Sequence, residues 1–226
     1  MKIKELVSTA ITVLLALFYL LKFGDLPSAV LLVFVILLVV FSYNAARIRL
    51  RRDPGNEVKI MKRLLVFYFL IFLHLLLSFT LTSSYFYRPS SLAFTDKEQF
   101  SIYLKCRTNF IPFLTIRDAI SSGVFTHYTL VNVGGNILAL MPMGFFLQVF
   151  FRKQRRFPVF LLTINIIVIS IELLQMLFLM GSCDIDDLIL NVFGALIMFF
   201  IVKIPAVRKI LNKVFPGIGD ELAVVN

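Results

Sequence analysis

The chain has no tryptophan, only two cysteines and little charge: Asp, Glu, Lys and Arg make up 16% of its 226 residues. Each shortage excludes something. Soluble domains carry about 25% charged residues, and disordered chains combine high charge with few apolar side chains. Here hydrophobic residues reach 59% and mean hydropathy is +0.91, which rules out a disordered chain and almost any soluble enzyme. Two cysteines cannot build a disulfide scaffold, and Cys106 and Cys183 show neither CxxC nor zinc spacing. No Ser-His-Asp arrangement for covalent catalysis is present. Gly134-Gly135 is no phosphate loop, since neither a Gly-rich turn nor a P-loop lysine follows it. Acidic residues are scarce too, 13 against 23 basic, for a net charge of +10. The basic residues lie between apolar runs, so they read as membrane-topology signals rather than as a nucleic-acid surface. Without tryptophan, interfacial anchoring falls to the 7 tyrosines and to Lys and Arg, while phenylalanine numbers 25.

What is present is hydrocarbon-matching length. A bilayer core needs about 20 mainly apolar residues per helix. Six stretches qualify, 6–23, 26–43, 64–83, 129–151, 157–180 and 187–202, which predicts an all-α polytopic membrane protein. The first run follows Lys2 and Lys4 but has no A-x-A-like cleavage site. A retained hairpin turning at Gly24-Asp25-Leu26-Pro27 is the better reading than a signal peptide. Lys and Arg crowd at the N-terminus, between Arg47 and Arg63, between Arg152 and Arg156, and in the tail, and are sparse in the alternate connections. The positive-inside rule then puts both termini in the cytoplasm. The expected division is a hairpin with a basic cytoplasmic loop at 1–63, a membrane domain at 64–205 and a tail at 206–226. The long connection 84–128 falls outside, and its Phe110-Ile111-Pro112-Phe113-Leu114 piece suits the membrane interface. Both cysteines map to that face, where a disulfide and separate thiols are equally compatible with the sequence.

Polar residues inside spans are costly unless paired or wet, so they mark candidate function. Span three carries His74, Ser78 and Thr82 on one face. Span four opens with Asn132 and Asn136, span five carries Asn165, Glu172 and Gln175, and span six opens with Asp184, Asp187 and Asn191. Glu172 lies eight residues before Met180, about 12 Å below the outer end of its helix. Stripes at a common level predict one polar cavity opening outward. Structural readings stand beside the functional ones. Asp184 is a natural N-cap with Asp187 in the first turn, the asparagines can be interhelical glue, and Gly134, Gly135, Gly194 and Ala195 can permit close helix packing. Capping does not account for Asp186 and Asp187 beside a buried Glu172, because clustered carboxylates repel without a cation or protons.

These residues also form ordered motifs. Asn132-Val-Gly-Gly-Asn136-Ile-Leu-Ala-Leu-Met-Pro142-Met-Gly144-Phe145 resembles the N-x-x-G-N-x-x-x-F-x-P-x-G-F signature of the VanZ-like family. Glu172-Leu-Leu-Gln175 with Asp184-Ile-Asp186-Asp187-Leu-Ile-Leu-Asn191-Val-Phe-Gly194 is similar to its E-x-x-Q … D-x-D-D-x-x-x-N-x-x-G block, and Asn109-Phe-Ile-Pro112-Phe113 to its N-x-x-P-F segment. The likeness covers Asn109 to Lys203. Met180 stands where members often carry an arginine, and Met141 replaces the phenylalanine before the proline; Arg107 or Arg117 could take over the arginine's part. The family is named for a protein associated with teicoplanin resistance, so the resemblance implies a bacterial cell-membrane address and a glycopeptide-resistance phenotype without a defined reaction.

The leading expectation is a site that binds or acts on an envelope lipid or lipid-linked anionic group, with membrane lipids, such a precursor or the glycopeptide itself as partners. Glu172 and Asp187 are the catalytic candidates, with His127 as another proton carrier. Asn132, Asn136, Gln175 and Asn191 would bind substrate. Asp184, Asp186 and Asp187 would hold a divalent cation bridging to phosphate. Whether the site is catalytic stays open at this point. The alternatives are a non-catalytic protein altering antibiotic access and a small flippase or transporter, the last disfavoured because no internal repeat appears.

Overall fold

The computed structural model describes residues 2–24, 27–82, 95, 97–121 and 127–224. Asp25 and Leu26 of the expected first turn, and the side chains of Thr82 and His127, lie outside the described residues. The chain is an all-α polytopic membrane protein. Its helices are α1 (Lys2–Lys22), α2 (Ser28–Arg52), α3 (Glu57–Thr82), α4 (Lys97–Cys106), α5 (Leu114–Ser121), α6 (His127–Phe150), α7 (Phe157–Leu177), α8 (Ile185–Ile201), α9 (Pro205–Val214) and α10 (Ile218–Ala223). Among the described residues five helices are long and apolar enough to cross a membrane, and α8 with α9 makes a sixth if that pair, bent by 84°, counts as one span.

Two boundaries differ from expectation. The basic connection after span two is helical: α2 continues to Arg52 and α3 begins at Glu57. Ala, Arg and Leu are strong helix formers, so the charges mark the end of the membrane without ending the helix. Pro54 does end it, opening a short 3-10 turn that Asn56 closes by donating to both carboxylate oxygens of Asp53 at 3.0 and 2.9 Å. The connection 84–128 likewise carries α4 and α5, and within it Phe110, Ile111 and Phe113 are exposed.

The chain divides into two compact units, Met1–Leu70 with Ile210–Asp220, and Ile71–Lys209 with Glu221–Asn226. In the first, α1 packs on α2. Ser8 Oγ donates to the Phe41 carbonyl at 3.0 Å, Phe18 stacks on Phe34 at 4.7 Å, and Arg52 pairs with Glu5 at 2.6 Å.

In the second unit α6 and α8 are pressed together. A Cβ on Gly194 would strike the Ile137 backbone, its carbonyl carbon only 2.7 Å away, and one on Gly144 would meet Met198 Cβ and the Phe199 amide at 2.8 Å. Small residues are what allow membrane helices to approach this closely. Gly194 and the buried Ala195 therefore act as expected, but Gly134 and Gly135 do not: among the described residues nothing lies within 4 Å of a Cβ at either position. The seam partner is Gly144 instead. Beside it Phe160 stacks on Phe199 at 4.6 Å, and the buried Gln148 donates to the Gly144 and Phe199 carbonyls at 2.6 and 3.3 Å.

Candidate functional site

The site lies in the second unit, where α7 ends and α8 begins. Helix α7 closes with Phe178 bonded back to Leu174 and Met180 to Gln175, and Leu179 takes a positive φ of 51° to turn the chain. The turn leads into a two-residue parallel bridge, in which β1 (Thr108–Asn109) pairs with β2 (Cys183–Asp184). Asp184 then caps α8, its side chain accepting from the Asp186 amide at 2.9 Å. The capping reading of Asp184 holds.

The three aspartates that the sequence grouped as cation ligands separate. Asp184 is held by the bridging segment: Asn109 Nδ2 donates to Oδ1 at 3.0 Å and Thr115 Oγ1 to Oδ2 at 2.7 Å. Asp186 is fully buried, and its two oxygens accept from the Phe113 amide at 2.5 Å and the Ile116 amide at 3.0 Å. Those amides sit at the start of α5, where a carboxylate satisfies orphan donors and meets the positive end of the helix dipole. Phe113 adopts φ 64°, a left-handed conformation unusual for a bulky residue, as its amide meets Asp186. Only Asp187 turns inward. Among the described residues no group of three His, Cys, Asp or Glu side chains could hold a metal ion.

Asp187 accepts a short hydrogen bond from Asn136 Nδ2 and lines a cavity of about 60 Å³ together with Thr80, Asn136, Glu172, Gln175 and Asn191. That space admits a few waters or one small ion. Glu172 is 7% exposed; the Asp184 backbone amide faces its carboxylate, yet Oε2 has no hydrogen-bond partner among the described residues. A buried carboxylate oxygen without a partner is the most costly polar group in the site. Gln175 Nε2 donates to the Thr80 carbonyl at 3.2 Å, and Asn191 Nδ2 to the Asp187 carbonyl at 2.8 Å. Asn132 lies a turn outside the lining, with its Oδ1 3.4 Å from Asn136 Nδ2.

Several expected members are elsewhere. Asn165 donates to Leu161 of its own helix at 2.8 Å, so the α7 lining is Val168, Ile171, Glu172 and Gln175. On α3 the lining face carries Leu76 and Thr80 rather than His74 and Ser78. Thr80 escaped notice because its contribution is a backbone carbonyl, which no side-chain pattern announces. Arg117 is paired with the neighbouring Asp118 at 3.1 Å and is exposed. Both cysteines are free thiols. Burial pushes the Cys183 thiol up, and the Glu172, Asp184 and Asp187 carboxylates push the same way, so it stays protonated and weakly nucleophilic. Burial likewise raises the Tyr103 phenol, which donates to the Met180 carbonyl at 3.2 Å.

Fold and site together define a polytopic helical membrane protein with a small acidic, amide-lined cavity inside its second unit. The family model VanZ/LLP1 matches residues 65–207, and the chain belongs to that family. The match takes in every residue that lines the cavity and extends the sequence likeness back into α3. No curated protein and no solved structure matches the chain.

Proposed function

We propose that the protein acts in a bacterial plasma membrane, termini inside, as a teicoplanin-resistance-type member of its family. In this reading the Glu172–Asp187 cavity recognises an envelope lipid or lipid-linked anionic group from the outer side. The observation that carries it is the pair of acidic side chains sharing one small buried space, with Glu172 Oε2 unpartnered. A buried carboxylate facing a second acid is costly, and such pairs concentrate at functional sites. The task that suits 60 Å³ is to hold a proton or one cation at the end of the bundle, with the lipid's hydrocarbon meeting the exposed apolar residues Phe110, Ile111 and Phe113. A divalent cation bound there would sit between Glu172 and Asp187, with amide oxygens completing the shell, because Asp184 and Asp186 are committed to α5.

The test is teicoplanin susceptibility of a sensitive host expressing the wild type or Asp187→Asn, with membrane levels matched by immunoblot. The expected result is loss of protection in the variant. Full protection by Asp187→Asn would favour the non-catalytic alternative, in which the protein alters antibiotic access without using this cavity. Translocation of labelled lipid in proteoliposomes would favour transport.

A further inference from the structure

The first unit holds a larger space that the proposed site does not use. Between α1, α2 and the start of α3 lies a cavity of about 230 Å³. Its inner wall is apolar and buried, built by Ala46, Ile60 and Leu64, while Thr9, Arg49 and Arg63 stand exposed at its rim. A second space of about 440 Å³ shares Thr9 and Arg49 with it, so the opening continues along α1. Among the described residues neither the Arg49 nor the Arg63 guanidinium has a hydrogen-bond or ion-pair partner. The one carboxylate lining both spaces, Glu5, is neutralised by Arg52 at 2.6 Å.

Two free guanidiniums from different helices, a hydroxyl from a third and an apolar wall line one space and make a particular chemical combination. Guanidinium forks match phosphate oxygens, and basic residues at the ends of spans face the anionic headgroup layer. A wall of Ile and Leu suits hydrocarbon, so a soluble phosphate would use only half of the site. We propose that this cavity binds an anionic phospholipid, its phosphate held by Arg49 and Arg63 and its acyl chain laid against Ile60 and Leu64. All its lining residues but Phe67 precede the family match, and none is shared with the cavity around Glu172.

The experiment is native mass spectrometry of the full-length protein in detergent with phosphatidylglycerol, phosphatidylcholine or inorganic phosphate added. Phosphatidylglycerol should be retained about tenfold better than phosphatidylcholine. Arg49→Gln with Arg63→Gln should abolish that preference. Arg51→Gln with Lys59→Gln removes the same charge outside this cavity and should change it by less than about threefold. Equal losses in the two pairs would reduce the effect to diffuse attraction and overturn the proposal, as would equal retention of the neutral lipid. Inorganic phosphate that binds as well as phosphatidylglycerol would overturn the lipid assignment. If the Gln pair fails to fold, Arg49→Lys with Arg63→Lys keeps the charge but loses the fork. That pair should weaken retention severalfold, and unchanged retention would overturn the proposal.

Discussion

Helix α7 is flanked by two buried charges that the protein treats in opposite ways. At its start Arg155 is 2% exposed and heavily engaged: Nε donates to the Gln148 carbonyl at 3.0 Å, Nη1 to the Val224 carbonyl at 2.9 Å, and Nη2 faces Glu221 at 3.8 Å. Lys203 Nζ closes the group, donating to the Arg155 carbonyl at 3.0 Å while lying 4.0 Å from the centre of the Phe199 ring. Near the other end Glu172 is buried with one oxygen unpartnered among the described residues. The Arg155 end ties the C-terminal residues to the bundle. The Glu172 end has Asp187 in the same cavity, and among the described residues no cationic side chain lines it. The Arg155 charge has a counter-ion within 4 Å, although among the described residues neither Nη2 nor the facing Glu221 oxygen makes a hydrogen bond, whereas Glu172 shares its space with a second acid.

The largest loss of stability is expected on the Arg155 side. Arg155→Gln should cost about 3 kcal/mol, because it takes a buried cation from Glu221, leaving Arg152 at 3.8 Å, and removes the donors to the Gln148 and Val224 carbonyls. Thermal unfolding in detergent would register it, with hydrogen exchange rising first in α10. Next comes Asp186→Asn, which keeps size but leaves one acceptor for two amides. It should cost about 1.5–3 kcal/mol and loosen 108–116 to protease while leaving α7 and α8 protected. If that segment stayed protected, the clamp on α5 would not depend on the carboxylate.

The Cys183 thiol reports on charge in the neighbouring cavity. Burial and three carboxylates hold Cys183 above the ordinary thiol range. In a Cys106→Ser background its alkylation should therefore accelerate only at pH values above those of a free cysteine. Asp187→Asn removes one of the negative neighbours, so the midpoint should move down in that variant. A midpoint that stayed put would place no negative charge at Asp187.

Much of the site could be read in the sequence because membrane spans make polar residues conspicuous. Glu172 is a lone acid in an apolar run, and Asn136, Gln175, Asp187 and Asn191 follow by helical spacing. The destinations of Asp184 and Asp186 could not be read: their partners lie about 70 residues back, in a segment where only the Asn109 to Phe113 motif hinted at a role. Thr80 was hidden because it offers a carbonyl, and Asn165 misled because a long apolar helix satisfies a carboxamide on its own preceding turn. The helical continuation of α2 to Arg52 was masked by charge, which marks where hydrocarbon ends and says nothing about backbone conformation.

Under the proposed function Glu172 serves its role at the expense of stability, and Glu172→Gln measures both. Gln keeps the shape and removes the buried charge. Its unfolding temperature in detergent should equal or exceed that of the wild type, while protection against teicoplanin in the sensitive host is lost. A Glu172→Gln protein that protects fully, or one that unfolds as readily as Arg155→Gln, would contradict the account and make Glu172 a structural residue like its counterpart at the far end of α7.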